Sequence, residues 1–309
     1  MVLVRSPALA AWRRLRPPAR LGPHALGAAQ ARAASAHCAT AALSGPPARP
    51  PVAPRPANED WASFSVEQWR SAAYCSKSFF AQLSEDTTDF IGGLCDELGG
   101  AGEHGPLLVE VGCGTGEALL PLSVGAGARC RFALGIDFNP AFIRYCREAV
   151  PEECRSRVKH LVGDATDLVG LCHRELPVEW LAGGRPKVVT CVGNTIGIMP
   201  QEVRAKVYQQ MMELAGTDGY MVVVYWNGNR FGDAVQNFYH KNPQLCGEFT
   251  GASVDFDTCT LTTPSGYSTH WTKPEEARHI FETEIGARVV KLQESGNGVL
   301  VAGRRMWPF

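Results

Sequence analysis

The densest group of residues suited to binding or catalysis is a glycine-rich stretch, Val-Glu-Val-Gly-Cys-Gly-Thr-Gly-Glu, at positions 109–117. It continues the apolar run Leu107–Val111, which predicts a buried strand. Glycines at such a place let the backbone turn sharply and let a ligand approach the main chain closely. A dinucleotide loop has the spacing G-x-G-x-x-G, whereas Gly112, Gly114 and Gly116 are spaced one residue more tightly. The stretch therefore predicts a ligand-binding turn of another kind, with a purely structural corner as the alternative.

Three acids occur at or near the ends of predicted strands. Glu110 would repel a pyrophosphate and would favour a ligand that carries a positive charge, such as the ammonium and sulfonium of S-adenosylmethionine. Asp137 ends the second strand, where an acid can accept hydrogen bonds from two ribose hydroxyls. Asp164 follows the third strand and is placed to reach the exocyclic amine of adenine. The acids therefore predict a site for a cationic nucleoside.

The order of these motifs resembles that of the class I, Rossmann-type S-adenosylmethionine-dependent methyltransferases. The matching segments are E-x-G-x-G-x-G, Gly-Ile-Asp-Phe-Asn-Pro and Gly-Asp-Ala, and the resemblance covers roughly residues 105–230. It implies a methyltransferase with S-adenosyl-L-methionine as its cofactor; an NAD enzyme of the same fold class is the alternative. The cofactor-binding residues that it implies are Glu110, Gly112, Gly114, Gly116, Asp137, Phe138, Asp164, Ala165, Cys191 and Asn194.

The segment Thr190-Cys-Val-Gly-Asn-Thr-Ile-Gly follows the fourth predicted strand, at the position where a methyl donor meets its acceptor. It resembles the corresponding loop of small-molecule N-methyltransferases, of the glycine and sarcosine type and of the histidine Nα type. The resemblance implies that Asn194 contacts the methionine part of the cofactor or the acceptor. The alternative is a turn residue that tolerates a left-handed conformation. No Asn-Pro-Pro-Tyr loop occurs, which disfavours a nucleic-acid acceptor.

Four residues are candidates for the acceptor side: Tyr74, Asn194, Arg230 and Tyr239. Arg230 has the chemistry to hold a carboxylate, and its alternative is a surface ion pair. Tyr239 belongs to an aromatic-rich segment, where a cation–π site and an ordinary hydrophobic core are both open. Tyr74 lies in a helical N-terminal segment, which covers the cofactor in the enzymes that the chain resembles. No residue type or spacing indicates the general base. The histidines and cysteines show no metal-ligand spacing.

Short β-branched runs alternate with helix-length segments along the body of the chain. This order predicts an α/β fold with a doubly wound, mainly parallel sheet and an antiparallel C-terminal hairpin. The predicted strands are Leu107–Val111, Phe132–Ile136, Val158–Val162, Val188–Val192, Tyr220–Trp226, Val289–Leu292 and Gly298–Ala302. The predicted helices are Glu117–Val124, Pro140–Val150, Gln201–Leu214 and one from a capping box at Thr272 through Ile285.

The composition divides the chain of 309 residues into unlike parts. The first 58 residues hold eight Arg, no Lys and no acid, whereas the other 251 carry a net charge near −9. An acidic body disfavours a protein that grips phosphate backbones, and no apolar run is long enough for a membrane-spanning helix. The predicted organisation is a transit peptide and proline-rich linker over residues 1–57, a helical N-terminal cap over 58–104, and a methyltransferase domain over 105–309 with an insertion at about 228–271.

These observations predict methyl transfer to a small molecule, most simply at nitrogen, in an organelle. The Arg-rich, acid-free N-terminus indicates a mitochondrion, with a plastid as the alternative. A compositionally biased, disordered tail without a targeting role is the other interpretation. Two other functions stay open: methylation of a protein side chain, with the insertion as a docking surface, and a catalytically silent methyltransferase-like assembly factor. Nothing in the sequence indicates the oligomeric state.

Overall fold

The structure of the protein, a computed structural model, describes residues 61, 64–76, 78–182 and 184–306, and of residues 73–76 the backbone alone. Its centre is a seven-stranded sheet in the order β3-β2-β1-β4-β5-β10-β9, in which the first five strands are parallel and the last two antiparallel. This confirms the predicted fold class. The predicted transit peptide and linker, residues 1–57, lie outside the described residues.

The sheet is built from the apolar runs of the sequence. Its strands are β1 Leu107–Val111, β2 Phe132–Asp137, β3 Val158–Val162, β4 Lys187–Cys191, β5 Tyr220–Trp226, β9 Ala287–Ser295 and β10 Gly298–Arg305. Every residue of β1 and β2 is buried, as is typical of parallel strands covered by helices on both faces. The parallel strands end at one common edge of the sheet, which positions the loops that follow them.

Helices cover both faces of the sheet. They are α1 Val66–Ser76, α2 Ala81–Glu97, α3 Leu119–Ser123, α4 Pro140–Ala149, α5 Leu168–Glu175, α6 Val178–Leu181, α7 Gln201–Ala215, α8 Phe231–Asn237, α9 Pro243–Cys246 and α10 Pro274–His279. One core joins α2 and α3 to strand residues such as Leu108 and Val222. The other joins α5 and α7 to Val109 and Val223. Neighbouring strand residues thus serve opposite cores, because side chains alternate between the faces.

The insertion, residues 228–271, contains a small second sheet that the sequence did not predict. Its strands are β6 Ser253–Asp255, β7 Thr260–Thr262 and β8 Ser268–His270, paired antiparallel in that order. Each strand has only three residues, which is too short for the alternation of apolar and polar residues that indicates a strand. Aromatic side chains pack around this sheet, and Tyr239, Tyr267 and Trp271 are all buried.

Several predicted boundaries need correction. The helix expected from Glu117 begins at Leu119, because the backbone of the glycine loop still turns at Glu117 and Ala118. β4 lies one residue earlier than predicted, at Lys187–Cys191. The helix expected from Thr272 through Ile285 begins at Pro274, and its last turn, Ile280–Glu284, is a π-helix.

Candidate active site

The glycine loop turns at the carboxyl end of β1 in a conformation that only glycine adopts easily. Gly112, Gly114 and Gly116 have φ of 65°, 52° and 82°, which lie in the left-handed region. A Cβ atom on Gly112 would stand 2.4 Å from Cγ2 of Thr195. The first glycine is therefore required both by its backbone angle and by the packing of the loop after β4.

Glu110 lies within β1, directly before this loop, with 2 % of its surface exposed. Burial raises the pKa of its carboxyl well above the ordinary value of 4.5, and the nearby carboxylates of Glu117 and Asp137 raise that pKa further. A hydrogen bond with the backbone of Leu119 acts in the opposite direction. Because burial and the neighbouring carboxylates favour the neutral form of Glu110, a positive charge bound nearby would favour its ionised form instead.

Asp137 at the end of β2 is bound to the glycine loop through the backbone. Its Oδ2 accepts a hydrogen bond from the Gly114 N–H at 2.9 Å, and its Oδ1 accepts one from the Asn139 N–H at 2.8 Å. Burial raises the pKa of its carboxyl, and these backbone bonds partly offset that rise. Each carboxylate oxygen can accept a second hydrogen bond, so the side chain can still accept hydrogen bonds from ribose hydroxyls.

Apolar side chains border the ends of β2 and β3. Phe138 is 44 % exposed and Val162 is 46 % exposed, although both are large and hydrophobic. Val162 pairs with Asp137 in the sheet. The exposed carboxylate of Asp164 accepts a hydrogen bond from the Thr166 N–H at 2.8 Å, and Ala165 beside it is half-buried. The two exposed apolar residues could cover a flat base while Asp164 accepts a hydrogen bond from its rim.

The N-terminal cap reaches this edge through residues that the sequence reasoning missed. The Asn139 side-chain amide donates to the carbonyls of Trp61 and Phe64, both at 2.8 Å. The indole of Trp69 lies 3.8–3.9 Å from the position of a Cβ on Gly114, and its N–H donates to Glu117 at 3.4 Å. The signal for Asn139 was the Asn-Pro start of α4, where its Oδ1 also accepts the N–H groups of Ala141 and Phe142.

Asn194, in the loop after β4, is 1 % exposed and has a left-handed φ of 60°. Its amide nitrogen donates to the Thr269 hydroxyl and to the His270 carbonyl, both at 3.1 Å. Its Oδ1 accepts the N–H of Trp226, also at 3.1 Å. Both amide protons are thus used within the protein. The structure therefore gives Asn194 a different position from the expected one: it connects β4, β5 and the insertion and presents no donor to an acceptor molecule.

Two of the other acceptor-side candidates, Arg230 and Tyr239, have partners within their own part of the chain. Arg230 is exposed and lies 3.7 Å from the carboxylate of Asp233, which is the surface ion pair expected as its alternative. Tyr239 is fully buried, and its hydroxyl accepts the indole N–H of Trp271 at 2.7 Å. Tyr74 belongs to α1, but its side chain lies outside the described groups. Cys191 ends β4 and is buried, and burial raises the pKa of its thiol.

The described residues offer neither a metal site nor a membrane span. No three His, Cys, Asp or Glu side chains within the described ranges form a group suited to hold a metal ion. No helix in the same part of the chain has the length and hydropathy needed to cross a membrane. The nine cysteines whose side chains are described are all buried as free thiols.

Comparison with known proteins assigns the class of enzyme. Residues 108–219 match the sequence model of a family described as a methyltransferase domain. The solved structure of an S-adenosylmethionine-dependent methyltransferase from Anabaena variabilis is 11 % identical, covers 78 % of this chain and 95 % of its own, and superposes with a TM-score of 0.50. The matched domain makes the protein an S-adenosylmethionine-dependent methyltransferase, and the superposition shows a shared Rossmann-like fold.

Two other solved structures are also similar. An S-adenosylmethionine-dependent methyltransferase from Clostridium acetobutylicum is 10 % identical, covering 76 % of this chain and 98 % of its own, with a TM-score of 0.49. The CcbJ methyltransferase from Streptomyces caelestis is 17 % identical, covering 72 % and 90 %, with a TM-score of 0.46. No curated protein sequence matches the chain.

Proposed function

We propose that S-adenosylmethionine binds across the glycine loop, with its ribose hydroxyls on Asp137 and its adenine between Phe138 and Asp164. The observation that carries this proposal is the hydrogen bond between Gly114 and Asp137, because it holds an acceptor carboxylate directly beside the glycine loop. Glu110 directly precedes the loop in β1, where the ammonium and sulfonium would favour the ionised form of its carboxyl. Ala165 and the backbone of Gly112, Gly114 and Gly116 complete the surface, and Cys191 supports it from within the sheet.

The acceptor that we propose is a small molecule. The cap and the insertion contact each other where the rings of Trp61 and Tyr267 lie 6.4 Å apart. The crevice between the two segments has a volume of about 280 Å³, which lies near the lower end for small-molecule sites. A crevice of this size suits a compact molecule better than an extended polypeptide.

Nitrogen is the acceptor atom that the surroundings favour. An oxygen acceptor needs a strong base, and burial raises the pKa of both Tyr239 and Tyr267, so that neither is a phenolate at neutral pH. An amine needs only to lose its proton, and apolar surroundings lower the pKa of a buried amine. The aromatic side chains of the cap and the insertion supply such surroundings.

The reactive methyl group comes from the cofactor when it is bound. The chain's contribution is to hold the acceptor about 3 Å from that methyl group, in line with the bond that breaks, and to exclude water. Asn194 acts here as a positioning residue, since it fixes the loop after β4 against β5 and the insertion. Arg230 and Tyr239 have no part in this proposal, because one is a solvent-exposed ion pair and the other is fully buried.

Methylation of a protein side chain is the competing function, and labelling separates the two. The purified chain is incubated with methyl-labelled S-adenosylmethionine and an organelle extract, which is then divided into metabolite and protein fractions. Label in the metabolite fraction, lost in the Asp137→Ala variant, is the expected result. Label in protein alone would overturn the small-molecule proposal, and no transfer into either fraction would support a silent assembly factor.

We also propose import into the mitochondrion, with the plastid as the alternative. This proposal rests on the composition of residues 1–57, which hold eight Arg and no acid. A fusion of these residues to a fluorescent protein tests it directly. Fluorescence in mitochondria is expected, whereas a plastid signal would select the alternative and a diffuse signal would contradict both.

A further inference from the structure

The crevice between the cap and the insertion is lined by uncharged side chains. Trp61, Phe64 and Gln68 come from the cap, and the residues Pro243, Gln244, Leu245, Gly247, Ser265, Gly266 and Tyr267 come from the insertion. None of these described lining residues is acidic or basic, although the body of the chain carries a net charge near −9. Removing an unpaired charge from water is costly, so the crevice disfavours ligands with a net charge.

Three aromatic rings border the crevice, two from the cap and one from the insertion. The ring of Trp61 lies 5.2 Å from that of Phe64 and 6.4 Å from that of Tyr267, and its plane is tilted relative to both. Rings at such distances pack favourably against a further flat group, in offset or edge-to-face arrangements. Gln244 is exposed at the crevice and offers a neutral amide as donor or acceptor.

The crevice is connected to the proposed cofactor site through the cap. Trp61 lies 6.1 Å, ring to ring, from Trp69, whose indole covers the position of a Cβ on Gly114. The Trp61 and Phe64 carbonyls are held by Asn139, two residues after Asp137. A molecule in the crevice would therefore lie against Trp61 and Phe64, which contact Asn139, and Trp61 in turn packs on the Trp69 ring beside the glycine loop.

We propose that this crevice is the acceptor subsite, and that it takes an uncharged, planar ring, aromatic or heteroaromatic, of a small molecule. The inference rests on the proposed small-molecule function and deepens it by naming the class of acceptor. The aromatic faces hold the ring, the neutral amide of Gln244 contacts its polar rim, and the absence of a charged lining residue among those described selects against carboxylate-bearing and ammonium-bearing rings.

Fragment binding tests the proposal without knowledge of the true substrate. The full chain is loaded with S-adenosylhomocysteine and offered benzimidazole, benzoate and benzylammonium, which are ring fragments that are neutral, negative and positive at neutral pH. Saturation-transfer NMR measures the binding of each. The variant Gln244→Trp fills the crevice, and Gln209→Trp adds the same side chain to an exposed position of α7 as the matched control.

Benzimidazole is expected to bind more tightly than the two charged fragments, to bind Gln244→Trp at least tenfold more weakly, and to be unaffected by Gln209→Trp. A preference for a charged fragment, binding that Gln244→Trp leaves unchanged, or no binding of any fragment would overturn the subsite. The affinity for S-adenosylhomocysteine is measured on the same three proteins. If the parent does not bind S-adenosylhomocysteine, the proposed function itself is contradicted. If the parent binds S-adenosylhomocysteine but none of the fragments, only the subsite is contradicted.

Discussion

Gly114 and Asp137 are joined by a hydrogen bond of 2.9 Å from the Gly114 N–H to Asp137 Oδ2, across the ends of two neighbouring parallel strands. The glycine supplies the backbone donor, and the aspartate at the end of β2 supplies the acceptor. This bond fixes the turn that the proposed cofactor must cross, and it orients the carboxylate that we assign to the ribose. One side chain thus shapes the site and also offers contacts to the ligand.

Asp137→Ala is expected to weaken binding of S-adenosylhomocysteine by at least about tenfold, since each charge-assisted hydrogen bond is worth roughly 1.5–3 kcal/mol and about 1.4 kcal/mol is tenfold. The structure adds a cost in stability, because the N–H groups of Gly114 and Asn139 lose their acceptor. Asp137→Asn keeps one acceptor oxygen and should lose less in both respects. Calorimetry and urea denaturation measure the two effects. Binding of the Ala variant within twofold of the parent would refute the ribose assignment.

Glu110→Gln is expected to stabilise the ligand-free protein as the pH rises above 4.5, the ordinary pKa of this carboxyl. Because the pKa of this carboxyl is higher in the folded than in the unfolded state, its protonation stabilises the fold. That stabilisation is complete below the unfolded pKa and is lost as the pH rises through the folded pKa. Glutamine has no proton to lose. The melting temperature of the variant should therefore fall less than that of the parent between acid and neutral pH. Parallel curves of melting temperature against pH would contradict a raised pKa of the buried Glu110 carboxyl.

Asn194→Ala is expected to lower the free energy of unfolding by roughly 1–3 kcal/mol, the cost of leaving buried hydrogen-bonding groups unsatisfied. The groups that lose their partner include the Trp226 N–H and the His270 carbonyl. Asn194→Gly removes the same bonds but suits the left-handed φ of 60°, so it should be the less destabilised of the two. Urea denaturation measures both, with Asn229→Ala at an exposed position as the control. An Ala variant as stable as that control would show that the bonds do not hold the loop.

Arg230→Ala is expected to leave kcat/KM within about twofold of the parent and to change stability by less than about 1 kcal/mol. Its guanidinium is 3.7 Å from the Asp233 carboxylate, and both side chains are more than half exposed. Methyl-transfer kinetics on the labelled metabolite fraction measure the effect. A tenfold loss in kcat/KM with unchanged folding would restore Arg230 as a residue that contacts the acceptor.

Apolar periodicity and local turn chemistry predicted much of the fold. β3 is confirmed at Val158–Val162 and β5 at Tyr220–Trp226; β5 is an unbroken apolar run, and three of the five residues of β3 are apolar. β9 extends through Ser295, beyond the predicted end at Leu292, since backbone pairing with β10 continues past the apolar side chains. The strands of the insertion were missed because three residues carry too little pattern.

The candidate site was predictable where the chemistry lies in one motif and not where it depends on distant contacts. The left-handed glycines and the acid at Asp137 follow from local spacing. The bonds of Asn139 to Trp61 and Phe64 span more than 70 positions, and no local pattern encodes them. Asn194 was singled out by a short motif, but only its partners in the insertion and in β5 show that its amide is already used.

The most direct test of the central claim is titration calorimetry of the full-length protein with S-adenosylhomocysteine, run beside NAD and beside the Asp137→Ala variant. We predict one saturable site on the parent for S-adenosylhomocysteine, at least about tenfold weaker binding by the variant, and no heat with NAD. No heat and no thermal shift with S-adenosylhomocysteine at millimolar concentration, or saturable binding of NAD in its place, would contradict the account.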